Sequence, residues 1–134
     1  MGSQRLMLLA AVGCVAIALL ELLFASTATD LEERERTRSA WRATAAACRQ
    51  ITATHRRLPV TWGEITAFAP PERLPWEDIR RRVQVDFTKT LPEVAYSDAA
   101  LIAWITPLAP CADLQADRAA LAQGLRALSQ GPKH

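Results

Sequence analysis

Hydrophobic and polar positions change period three times along the chain. Residues 6–24 are apolar on every face of a helix, with one charge, Glu21, near the far end. Extended to residue 28, the segment is just over 20 residues long. At about 1.5 Å per residue it crosses a hydrocarbon core of roughly 30 Å. We read residues 1–5 as a short N-terminal tail and 6–28 as a transmembrane anchor. Glu21 falls within about one turn of the distal interface, where it either stays solvated or pairs with an arginine of a neighbouring chain.

Residues 30–38 have no apolar face. Glu32 reaches Arg36 at i,i+4 and Glu35 reaches Arg38 at i,i+3, pairs worth about 0.2–0.5 kcal/mol each, so the helix is expected to continue into water. From Trp41 the pattern turns amphipathic. Trp41, Ala45, Cys48, Thr52 and His55 recur at the spacing of one helix face, with Ile51 beside them. Pro59 disfavours helical geometry in the residue before it and predicts an end near Leu58. Residues 29–57 are thus read as a charged, then amphipathic, helical stalk. Unbroken from 6 to 57, the helix would be about 75 Å long, so part of it must pack against the C-terminal half of the chain.

Residues 58–128 form a small extramembrane domain punctuated by prolines, and 129–134 a flexible tail. Thr61 with Glu64 three residues later has the form of a capping box, starting a short helix to about Phe68 that Pro70-Pro71 closes. A second helical turn is expected from Pro75 to Arg81. Residues 83–87 alternate at period two and predict a half-buried strand. Residues 100–106, apolar on both faces, predict a second. Residues 113–128 predict a last helix, with Leu114, Leu121, Leu125 and Leu128 on one stripe. The fold class is α+β: one transmembrane helix continuing into a long helix, then a Pro-rich domain with about two strands and a C-terminal helix.

Composition changes this picture little. The formal net charge of +2 is too small to imply a nucleic-acid partner. Lysine is nearly absent, and arginine with abundant alanine suggests a GC-rich bacterial genome. Two strands give a thin core that often needs a staple. Cys48, on the inner face of the long helix, and Cys111, just before the last one, are the candidate disulfide. It would close a loop of about 63 residues, worth roughly 4 kcal/mol. Two free thiols are the alternative, and Cys14 in the anchor acts as a small apolar residue.

Arginines count against an outside domain, since Arg34, Arg36, Arg38 and Arg42 outnumber Arg5 across the anchor. Asp30, Glu32, Glu33 and Glu35 offset that cluster. With the short tail and the cysteine pair, they favour a domain on the periplasmic side of a bacterial inner membrane. A cleaved signal peptide is the rival reading, with Arg5 as its basic region and Ser26-Thr27-Ala28 as its cleavage site. The apolar run is long for one. Lipid attachment at Cys14 is a third.

No motif for zinc, haem, phosphate or nucleophilic catalysis occurs. His134 ends the chain, and His55 is expected to be a partly buried helix residue. Glu77, Asp78 and Asp86 read as helix-start and strand-end acids. We therefore expect no enzyme, no cofactor and no metal site. Four tryptophans are many for this length. Trp104 should be core, whereas Trp62 and Trp76 either pin loops or form a docking patch. Arg80, Arg81 and Arg82 beside Trp76 make a candidate patch for lipid headgroups or an acidic partner.

A hydrophobic helix running into an amphipathic one and then a small strand-bearing domain resembles the layout of type IV pilins and pseudopilins. That resemblance implies a filament or assembly component. Gly13-Cys14 and Glu21 depart from the family's processing motif, so none of its site residues is carried over. The pattern favours a non-catalytic, single-pass subunit that stabilises a larger membrane complex, whether for electron transfer, light harvesting, transport or secretion. Its expected partners are other membrane subunits and the bilayer. Glu21, Trp62, Trp76 and Arg80 to Arg82 are the candidate contacts. A secreted binding domain is the third reading.

Overall fold

The computed structural model describes residues 2–69 and 74–131. The expected stop at Pro70-Pro71 and the tail from Pro132 to His134 lie outside the described residues. The chain is mostly helical and divides into two compact units, Met1–Glu33 and Arg34–His134. Helix α1 (Gly2–His55) contributes to both. Among the described residues, the first unit holds only α1. The second holds the rest of α1, followed by α2 (Trp62–Thr66), α3 (Trp76–Arg82), β1 (Val83–Val85), α4 (Leu91–Tyr96), α5 (Asp98–Trp104), β2 (Ile105–Pro107) and α6 (Gln115–Gln130).

Within the second unit, α1 supplies one wall of the core. Thr37, Ala40, Trp41, Thr44, Ala45, Cys48, Ile51 and Thr52 are buried, the 3–4 spacing of a helix stripe. Two of its threonines need no outside partner. Thr44 donates its hydroxyl to the Ala40 carbonyl at 2.9 Å, and Thr52 to that of Cys48 at 2.7 Å. The stripe ends sooner than the pattern suggested. His55 is exposed, because the chain leaves the helix there and Leu58 and Pro59 take over the buried positions.

Arg56 makes that exit at φ 57°. This left-handed conformation costs a residue with a Cβ about 1–2 kcal/mol, and glycine almost nothing. Glycine's greater freedom in the unfolded chain offsets part of the gain. Arg56→Gly is therefore expected to stabilise the domain by about 0.5–1 kcal/mol, read as a higher urea midpoint. An unchanged or lower midpoint would contradict this account of the turn.

The two strands pair antiparallel, with Val83 opposite Pro107, Gln84 opposite Thr106 and Val85 opposite Ile105. Val83 and Val85 are buried and Gln84 is exposed, as period two requires. The second strand is shorter than expected. Residues 100–104 are helical, and only Ile105–Pro107 is extended. Ser97 explains the difference: its hydroxyl caps α5 by accepting the Ala100 N–H at 3.2 Å. Leu101 and Trp104, three residues apart, are then buried, while Ile102 and Ala103 face out. Helix α4 was not anticipated, although Thr90 and Glu93 have capping-box spacing. Their side chains hydrogen-bond at 3.0 Å.

The expected Cys48–Cys111 bridge is not formed. Both are free thiols, Cys48 buried and Cys111 half-buried. Burial pushes both thiols up from their ordinary range, Cys48 far more than Cys111, which favours the protonated form. The core closes instead on Trp41, Trp104, Ile65, Ile79, Val94, Ile105 and Leu125, each nearly or wholly buried.

Candidate functional site

Among the described residues, one helix is long and apolar enough to cross a membrane, and none of its most apolar stretch is buried. Glu21 is exposed within it. Successive residues of a helix turn by about 100°, so residues 8–24 divide into two faces. Ala10, Ala11, Cys14, Ala18 and Glu21 share a sector about 100° wide. Every bulky side chain of that span lies outside the sector, joined only by Gly13 and Ala16. The single carboxylate thus stands on the one narrow, small-residue face of an otherwise thick apolar helix. Such faces let a second helix approach closely, and a polar group on one finds its partner there.

The other candidate contacts lie in the second unit, where the two tryptophans are fastened to the core. The Trp76 indole N–H donates to the Phe68 carbonyl at 2.7 Å, bracing the end of α2 against the start of α3. Trp62 meets Phe87 edge-on at 6.3 Å between ring centroids, and Arg80 lies 5.4 Å above the Trp62 ring. Both tryptophans are half-buried against the core. Consecutive positions on α3 send the three arginines in different directions. Arg80 goes to Trp62, Arg81 approaches Asp78 at 4.0 Å, and Arg82 donates to the Thr37 hydroxyl at 3.3 Å. Arg80 and Arg81 remain exposed.

Three charged fasteners were not singled out from the pattern. Asp117, in the first turn of α6, accepts from Arg38 Nε at 3.2 Å and Arg42 Nε at 2.9 Å. Arg57 grips Glu64 through two hydrogen bonds, at 3.1 and 3.2 Å. Arg126 Nε donates to the Ala95 carbonyl at 2.7 Å, joining α6 to α4. The spacing of Arg38 and Arg42, one turn apart, was the available signal. It does not say which carboxylate they share.

Of the acids read as helix-start and strand-end residues, Asp86 is committed to Thr88, whose N–H and hydroxyl both reach its Oδ1. Those bonds hold its carboxyl below the usual range, with Lys89 adding to the effect. Among the described residues no cluster of three or more His, Cys, Asp or Glu side chains is arranged to hold a metal ion. Comparison with known proteins returns no matching family model, no matching curated protein and no matching solved structure.

Proposed function

We propose that this chain is a non-catalytic, single-pass membrane subunit that packs into and stabilises a larger membrane complex. Its partners are other membrane subunits and the surrounding lipid. The observation that carries this reading is the uncovered apolar helix with its one carboxylate on the small-residue face. Lipid satisfies the bulky face. A neighbouring helix with a hydrogen-bond donor at the depth of Glu21 would satisfy the other, since an ionisable group in a span is costly when unpaired. The domain then braces a neighbour outside the bilayer. We place it on the periplasmic side of a bacterial inner membrane, on the acidic residues that offset the arginines after the anchor. With no bridge formed, the cysteines no longer bear on the side.

Native mass measurement after mild detergent extraction tests this reading. The wild-type chain is expected in an assembly heavier than itself, and Glu21→Leu is expected to release a large share of it as free monomer. A wild-type protein found only as a monomer would contradict it.

A further inference from the structure

Helix α6 presents two working faces. Asp117 and Gly124 lie toward α1, the first held by Arg38 and Arg42 and the second closely approached by the Arg49 side chain. On the other side, Gln115, Arg118, Ala119, Ala122 and Arg126 recur at helical spacing and face α5. Between the two helices lies a cavity of about 360 Å³, whose α5 wall is Asp98, Leu101 and Ile102. That volume is within the range of small-molecule sites.

Two features give the cavity a chemistry. Arg118 Nε is buried and has no hydrogen-bond partner among the described residues. Buried donors without an acceptor are rare, and each calls for a group that the chain does not supply. Arg126 also lines the cavity, and its own Nε bond to Ala95 fixes the side chain. The two arginines are eight residues apart, about 12 Å along the helix axis. Ala119 and Ala122 keep the floor between them low, and Leu101 and Ile102 make the opposite wall apolar. Asp98 supplies the one opposing charge, so the lining keeps an excess of positive charge. The Trp104 indole, a second buried donor without a partner among the described residues, is not on this lining.

We propose that the α5–α6 cavity binds an anion carried on a short aliphatic body, its carboxylate or phosphate oxygen accepting from the Arg118 guanidinium and its chain lying over Ala119 and Ala122. The apolar wall excludes a bare inorganic anion as the preferred ligand. The arginines exclude a neutral alcohol.

The test uses the full chain in phosphatidylcholine nanodiscs. Octanoate, octyl phosphate, acetate, inorganic phosphate and octanol are added separately, and the thermal midpoint is followed by circular dichroism against empty-disc controls for ligand uptake. At least one of octanoate and octyl phosphate is expected to raise the midpoint saturably, and which one does so assigns the acid group. Acetate, inorganic phosphate and octanol are expected to leave it unchanged. Arg118→Met, which keeps the stem and removes the donor, should weaken binding at least tenfold without lowering the unliganded midpoint. Ala119→Leu, at an exposed position of the floor, should block the chain while leaving Arg118 intact. A midpoint that responds to neither amphiphile, that responds equally to acetate or inorganic phosphate, or that responds undiminished in both variants overturns the proposal.

Discussion

Trp41→Ala is expected to destabilise the domain by about 3–5 kcal/mol, the usual cost of emptying a buried tryptophan site. Trp41 is 1% exposed and lies midway along the inward stripe of α1. Its indole N–H donates to the Ile105 carbonyl at 3.1 Å, so one side chain fills the core and ties α1 to β2. The substitution therefore removes packing and also leaves a buried carbonyl short of a donor. Against a total stability of about 5–15 kcal/mol for a domain of this size, that loss is a large fraction. Trp41→Phe separates the two contributions. It retains most of the ring and should cost about 1–3 kcal/mol, mainly for the carbonyl left unpaired. Urea titrations of both variants measure this. A cost under about 1 kcal/mol for Trp41→Ala, well short of the usual range, would mean that α1 is not a wall of this core.

The second large effect is at Asp117. Replacing it with Asn keeps the shape and removes the charge that Arg38 and Arg42 share. Arg42 is half-exposed, so water screens that pair, and Arg38 is the better buried of the two. We expect a cost of about 1–2 kcal/mol at neutral pH. Burial alone would raise the Asp117 carboxyl. The hydrogen bonds from Arg42 and Arg38, together with their charges, outweigh it and hold the group below its ordinary range. A folded-state value below the unfolded one means that the contribution is complete above the unfolded value. It is lost as pH falls through the folded one. The gap between wild type and Asp117→Asn should therefore be full at neutral pH and close below about pH 4. Glu64, lowered chiefly by its hydrogen bonds from Arg57, adds to acid sensitivity in the same direction. A gap independent of pH would contradict the clamp.

Long-period features were legible in the amino-acid pattern, and short ones only where a cap announced them. The apolar run, the stripe from Trp41 to Thr52 and the leucine stripe of α6 each repeat over many residues, so periodicity averages out local noise. Thr61 was a readable cap: its hydroxyl accepts the Glu64 N–H at 3.4 Å. Residues 100–104 were not readable by the same means. An apolar run of that length fits a buried strand and a buried helix equally well, and the deciding residue, Ser97, lies outside the run. His55 kept its place in the spacing but lost its burial, because helix-wheel position says nothing about where neighbouring chain departs. The pairing of Asp117 with α1 depends on tertiary placement, which no local pattern carries. The same holds for Arg118, whose interest lies in the acceptor it lacks.

Membership of a membrane complex requires the apolar helix to stay with the chain. On the reading proposed above, its narrow face, with Glu21 beside Ala10, Cys14 and Ala18, meets a neighbouring helix only if those residues lie in a bilayer. Intact mass of the protein extracted from membranes decides this most directly. We predict a mass that includes residues 6–24, recovered from the membrane fraction. A mature chain beginning near residue 29 would make it a secreted domain. One cleaved after Gly13 would make it a pilin-like component. Either result would contradict the membrane-subunit reading.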